Sequence, residues 1–277
     1  MHRARKSLGQ NFLVDPNLQR RIAAALDLSP DDEVLEIGPG LGAITRLLAG
    51  SVRSFVAIEI DPDLADRLRS DFARTPGTAI LNLDILDLDL ATVCTSTDRL
   101  KVIGNIPYNI TTPILFHLLE RRWRPATLVI MVQREVADRI LAPAGTSAYG
   151  ALSIAVRVAA RVERLFHVRR TAFRPAPNVD STVIRITPVR PFPLSPLQES
   201  DLRTLTRTAF SWRRKQLQRT LRDSPRFRLS IDDLARLQHA TAFDLTRRVE
   251  TFDPDQLVLL SDQLRQIGRP LSDRDAR

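Results

Sequence analysis

Residues Val34 to Ala43 read "VLEIGPGLGA". An apolar run, Val34–Ile37, passes through a glycine loop into a stretch of helical character, Ala43–Ala49. Glycine at 38 and 40 lets the backbone turn sharply and approach a ligand closely, where a Cβ would block it. The loop formally matches G-x-G-x-x-[GA], the phosphate-side turn of dinucleotide enzymes. A tight strand-to-helix turn with no ligand would use the same residues.

The pattern repeats outward from this loop. Further apolar runs rich in Val, Ile and Leu occur at Phe55–Ile60, Ala79–Leu83, Lys101–Ile103 and Thr127–Val132. Helix-like stretches separate them, including Pro62–Phe72 and Thr112–Glu120, and Leu18, Ile22, Ala25 and Leu26 have helical spacing ahead of the first run. Runs that are apolar throughout, rather than alternating, suit strands buried on both faces. Their alternation with helices predicts an α/β fold with a doubly wound, mostly parallel sheet. Val183–Thr187 alternates and reads as a late strand with one wetter face. "TPVRPFPLSP", Thr187–Pro196, holds four prolines and reads as a linker, since proline continues neither a central strand nor a helix interior. Beyond it Leu202–Leu221, Ile231–Gln238 and Pro254–Ile267 look helical. The expected organisation is a sheet domain over 1–190 and a small all-helical domain over 197–277.

Ligands of open parallel sheets bind at the carboxyl ends of the strands. Four such ends carry Gly38, Glu59, Asp84 and Asn105, in steps of 21, 25 and 21 residues. Each step is one strand-helix unit, so all four can face one crevice. An acid about 20 residues past the glycines can accept hydrogen bonds from both ribose hydroxyls. Glu59 therefore fits NAD and S-adenosylmethionine equally well. Asp84 can accept from an adenine amine, or simply cap a turn.

The fourth end reads "GNIPYNITTP", Gly104–Pro113, with no charge, cysteine or histidine. Its N-I-P-Y-N box resembles that of the rRNA adenine N6,N6-dimethyltransferases, which implies an adenine amine as the target, a weak base because its lone pair is spread into the ring. Two fixed acceptors, the Asn105 side-chain oxygen and the Ile106 carbonyl, would localise that lone pair and stabilise the charge growing on nitrogen. Pro107 restricts Ile106 to extended angles and so holds its carbonyl in place. Tyr108, one of only two tyrosines, is placed to stack on the base.

The resemblance to that family extends beyond the box. "KSLGQNFLVD" (Lys6–Asp15), "EIGPGLG", "IEID", "MVQREVADRI" (Met131–Ile140), "AYGALS" (Ala148–Ser153) and "FRPAPNVDS" (Phe173–Ser181) follow the family's order. The similarity covers roughly residues 5–187 and, weakly, the rest. It implies a Rossmann-like class I methyltransferase sheet and S-adenosyl-L-methionine as cofactor. By the same resemblance Asn11 and Leu13 close over the methionine end of the cofactor. Phe173 is the candidate for the opposite face of the base, held by Pro175 and Pro177. A base gripped between aromatics implies a flipped or single-stranded adenine.

The formal charge is +9, carried almost wholly by arginine, since Lys6, Lys101 and Lys215 are the only lysines. Arginine's planar fork suits phosphate. The densest stretch, Arg203–Asp223, holds Arg203, Arg207, Arg213, Arg214 and Lys215 and only one acid. On one helix Arg203, Arg207 and Arg214 would share a face; a solvated face is the plainer alternative. "AFSWRRKQL" resembles the branch that modifies small-subunit (16S) rRNA, which implies dimethylation of two adjacent adenines near its 3′ end and a role in ribosome assembly. Large-subunit (macrolide-resistance) enzymes fit this region less well. A non-enzymatic nucleic-acid binder and a nicotinamide oxidoreductase are the other rivals, and the latter leaves the N-x-P-Y box unexplained. Arg121, Arg122, Arg124, Arg169, Arg170 and Arg174 can extend the basic surface. Cys94 is the only cysteine, which fits a reducing cytoplasm. No metal site, no membrane span and a monomer are expected.

Overall fold

The computed structural model describes residues 5, 8–107, 110–119, 124–189 and 194–268. The chain opens with a two-residue strand, β1 (Phe12–Leu13), and α1 (Pro16–Ala24), started by Pro16 and by Asp15, whose carboxylate accepts the Asn17 and Leu18 N–H groups. Three strand-helix units follow: β2 (Glu33–Ile37) with α2 (Thr45–Leu48), β3 (Ser54–Glu59) with α3 (Pro62–Asp71), and β4 (Thr78–Asn82) with two short turns. Then come β5 (Leu100–Asn105), α4 (Thr111–Leu119), β6 (Thr127–Gln133), α5 (Arg134–Leu141) and α6 (Ala151–Ala159). The sheet is completed by β7 (Ala160–Val168) and β9 (Ser181–Pro188), with the short β8 (Phe173–Arg174) between them.

Seven strands form one sheet in the order β4-β3-β2-β5-β6-β9-β7. The first five are parallel, and β9 and β7 are antiparallel. Every residue of β2 is buried, because helices cover both faces. The five apolar runs named from sequence are the five parallel strands. β7 was not named: Arg161, Glu163, Arg164 and His167 are exposed and interrupt its apolar residues, as an edge strand allows. Separately, β1 pairs with β8, Phe12 opposite Arg174 and Leu13 opposite Phe173.

Two compact units share the chain, 1–137 with 160–188 and 138–159 with 189–277. The linker after β9 marks the expected boundary, but 138–159 belongs with the helical unit rather than with the sheet. Tyr149 is the reason: it is fully buried there, beside Leu205 and Leu257, and its hydroxyl donates to the Phe252 carbonyl at 3.0 Å. The helical unit also contains α7 (Pro196–Ser211), α8 (Leu217–Asp223), α9 (Ile231–Thr241) and α10 (Pro254–Gln266). Ser195, Ser230 and Asp253 start α7, α9 and α10 with reciprocal capping boxes.

The basic stretch is not one helix. α7 ends at Trp212, and the backbone bends so that Leu217 and Gln218 can donate to Arg247 and Leu245 carbonyls. Arg213, Arg214 and Lys215 therefore sit in a turn, and Arg214 does not share a helical face with Arg203 and Arg207. Arg203 is half-buried and Arg207 exposed on α7. Arg213 is spent inside the unit, donating to the Thr146 and Ser147 carbonyls and facing Glu250 at 3.9 Å. Arg214 and Lys215 are exposed and line a cationic hollow with Arg219 and Arg248.

Candidate active site

A crevice lies over the carboxyl ends of β2 to β5, where open parallel sheets bind their ligands. Gly38, Gly40, Glu59, Asp84, Asn105, Ile106 and Pro107 all line it, as does the segment Leu8–Phe12. The four strand ends singled out from their spacing therefore meet.

Gly38 and Gly40 both have positive φ, +66° and +59°. The Gly38 N–H donates to the Ile58 carbonyl at 2.9 Å, which ties the loop to β3. A Cβ on Gly40 would lie 3.0 Å from the Phe12 ring, so the glycine is required by the segment that crosses it. Glu59 is buried, and its two oxygens accept the Gly40 and Asp61 N–H groups, each at 3.0 Å. Burial raises its pKa, and these backbone donors oppose the rise. Asp84 plays both parts considered for it: one oxygen caps a turn by accepting the Leu86 N–H at 2.9 Å, and the residue faces the crevice.

The Asn105 Nδ2 donates to the Asn11 carbonyl at 3.1 Å. With Nδ2 so engaged, Oδ1 is the acceptor the amide presents on its other side. The Ile106 N–H donates to the Met131 carbonyl at 3.1 Å and its side chain is buried, so the peptide is locked to β6. The Pro107 carbonyl accepts from the Ile110 N–H and the Thr111 hydroxyl, both at 3.2 Å, and starts α4. Tyr108 lies outside the described residues, as do Arg121 and Arg122.

The crossing segment is latched at a second point that the sequence did not reveal. Asp61, fully buried at the start of α3, accepts from Gln10 Nε2 at 2.8 Å and ion-pairs with Arg5 at 3.2 Å. Nothing in the sequence separates Asp61 from an ordinary N-cap before proline, which it also is. Ile60, 48% exposed and lining the crevice, was likewise missed; it offers an apolar face beside Glu59.

Two expected site residues are placed elsewhere. Leu13 is buried and faces an adjoining inner cavity rather than the crevice itself. Phe173 is fully buried in the apolar cluster with Leu13, Ile22 and Val183, and lines neither cavity. Its pairing with Leu13 across β1 and β8 turns the ring into the core.

Glu36 is the unforeseen acid of the inner cavity. It is buried, accepts the Thr45 hydroxyl proton at 2.6 Å, and its pKa is pushed up to about 7 by burial. The Thr45 bond opposes that rise and the Glu59 charge adds to it. The folded chain thus holds this proton more tightly than the unfolded chain does. Stability from this group is full below about pH 4.5 and is lost as pH rises towards 7, on the order of 3 kcal/mol in all. In Glu36→Gln, urea unfolding at pH 5 and pH 7.5 should show this decline removed.

Among the described residues no group of His, Cys, Asp and Glu can hold a metal ion, and no helix is long and apolar enough to cross a membrane.

A glycine loop, two acids at successive strand ends and a neutral acceptor pair at the next, on a sheet of this order, define a Rossmann-like class I methyltransferase. The particular kind follows from comparison. The chain belongs to the ribosomal RNA adenine dimethylase family, whose model matches residues 1–251. It is 40% identical over 268 residues to the ribosomal RNA small subunit methyltransferase A of Geobacter metallireducens, covering 96% of this chain and 97% of the relative. Among solved structures it is similar to a dimethyladenosine transferase from Plasmodium falciparum, with a TM-score of 0.76, 24% identity and coverage of 94% and 99% of the two chains, a likeness of fold. It is also similar to the 23S rRNA methyltransferase ErmE, with a TM-score of 0.67, 28% identity and coverage of 92% and 100%.

Proposed function

We propose that this chain dimethylates the N6 nitrogens of two adjacent adenines near the 3′ end of 16S rRNA, acting as a cytoplasmic monomer on the immature small ribosomal subunit. The observation that carries the chemistry is the pinned amide of Asn105 beside the locked Ile106 peptide, at the crevice's fourth strand end. The small-subunit assignment is supported by the relative that is 40% identical over nearly the whole chain.

S-adenosyl-L-methionine fits the crevice. Glu59 offers a buried, hydrogen-bonded carboxylate for ribose hydroxyls, Asp84 an acceptor for the adenine amine, and Ile60 an apolar face. Gly38, Gly40 and Asn11 leave backbone close to the amino-acid end. When bound, this donor supplies a methyl group already activated by a positively charged sulfur.

The chain's own residues then have one task, alignment. In the first transfer Asn105 Oδ1 and the Ile106 carbonyl each accept one N–H of the target amine; the methylated amine keeps a single N–H, which one of these acceptors takes in the second. This aims the lone pair and stabilises the positive charge that grows on nitrogen. No side-chain base is needed to start the reaction, in keeping with a box that has none. Well-oriented reacting groups can lower a barrier by roughly 7–11 kcal/mol. Tyr108 is retained as the stacking partner for the base. The exposed cations Arg207, Arg214 and Lys215, with Arg203 beside them, serve the rRNA backbone.

The large-subunit reading has one specific observation in its favour, the 28% identity to ErmE. Offering both rRNAs to the purified enzyme with radiolabelled donor separates the two. Label confined to small subunits, with mass mapping of two dimethyladenines, is the expected result; label on large-subunit rRNA alone overturns it. Glu59→Ala should weaken S-adenosylhomocysteine binding, measured by calorimetry, by about tenfold or more, as loss of a charged hydrogen-bonding group does. Unchanged affinity would remove its ribose role.

A further inference from the structure

The carboxyl edge of the sheet does not end at Asn105. Asn105 is in register with Met131 on β6, and β6 runs two residues further, to Gln133. Opposite Gln133 the antiparallel β9 enters at Ser181, and opposite Ser181 β7 leaves at Val168. These chain ends border an open groove lined by Gln133, Arg134, Arg170, Asn178, Val179 and Asp180. The functional row along the edge is therefore Asp84, Glu59, Gly38, Asn105 and then this groove.

A base that reaches Asn105 stays attached to a sugar and two phosphates. On the β2 side that space is taken by the glycine loop, Glu59 and the crossing segment Leu8–Phe12. The polynucleotide must leave on the β6 side. Resting on the reading above, we propose that this groove holds the phosphodiester backbone of the nucleotide next to the target adenine, with Arg134 and Arg170 as the contacts.

The charges favour that occupant. The Arg134 guanidinium has no hydrogen-bond or ion-pair partner among the described residues, and the residue is exposed. The Arg170 guanidinium makes one long bond, 3.4 Å, to the Asn178 carbonyl. Asp180 does not neutralise either one. Its carboxylate takes the Arg170 backbone N–H at 2.9 Å, and its carbonyl takes the Arg134 N–H at 3.0 Å. The acid thus staples the loop to the end of β6 and sets both arginines around one space. Guanidinium forks suit phosphate oxygens. Asp180 and Glu135 on the same lining disfavour a free dianion, which points to singly charged phosphodiesters. Val179, 43% exposed, supplies an apolar face for a sugar.

The test is the full-length R134A/R170A double variant, assayed beside the parent on undermethylated small subunits. KM for subunits should rise about tenfold or more, with S-adenosylhomocysteine affinity unchanged. The slope of log KM against log salt should fall by about 1.4, the value for two phosphate contacts on a single strand. R134K/R170K should restore most of both. A double variant with parental KM and salt slope overturns the groove and leaves the proposed function standing. A double variant that loses cofactor affinity or melts early also overturns it, by making the arginines part of the fold. A parent that transfers no methyl group sinks the proposed function, and the groove with it.

Discussion

Asn105→Ala should lower turnover by about 10²–10³-fold or more, while S-adenosylhomocysteine affinity changes only a few-fold. The substitution removes the acceptor for one amine N–H. It also removes the donor that meets the Asn11 carbonyl, so that the crossing segment loses its contact with β5. The first loss acts on the transition state, where charge on nitrogen is greatest, and therefore on kcat. The second acts on the crevice wall and accounts for the small effect on binding. Single-turnover methylation at saturating donor measures the first, and calorimetry the second. Near-parental single-turnover rates would defeat the acceptor mechanism outright. Asn105→Asp is the informative companion. It keeps an oxygen but places a negative charge against the Asn11 carbonyl, and should also be slow.

Phe173→Ala should cost about 3–5 kcal/mol of unfolding free energy, the usual range for removing a buried phenyl ring. The ring is fully buried against Leu13, Ile22 and Val183, so its loss leaves a cavity at the junction of β1, β8 and β9. Urea unfolding of the variant measures this. Phe173→Leu should recover much of the stability and most of the activity. If Phe173→Ala instead unfolded like the parent while losing turnover, the residue would be a base-stacking group after all.

That contrast shows what the sequence carried and what it did not. Val34–Ile37, Phe55–Ile60 and Thr127–Val132 were readable as strands because burial on both faces writes itself as an unbroken apolar run. The site was readable wherever strand ends and backbone turns define it. Gly38, Glu59, Asp84 and Asn105 recur at the length of one strand-helix unit, and the structure brings them to one crevice. The burial of Phe173 was not readable, because a proline-rich loop says nothing about which way its first side chain turns; the register with Leu13 decides that. The break at Trp212 was hidden too. Leu205, Ala209 and Leu217 continue a plausible stripe, and only the tertiary bonds of Leu217 and Gln218 to Arg247 and Leu245 stop the helix. Glu36 sat in plain view inside the glycine motif, but its raised pKa depends on burial, which one carboxylate in a sequence does not announce.

The pairing of Phe12 and Leu13 with Phe173 and Arg174 has a consequence for biosynthesis. Residues that far apart cannot meet until the ribosome has delivered nearly all of the sheet-bearing part of the chain, and long-separated contacts of this kind form slowly. The strand that brings Asn11 to Asn105 is therefore among the last pieces of this unit to be seated. A nascent or truncated chain lacking Arg174 would have the parallel strands and the glycine loop, yet its reactive asparagine would lack an orienting partner. Methyl-transfer competence thus arrives late, as a property of the finished unit rather than of its first-made half.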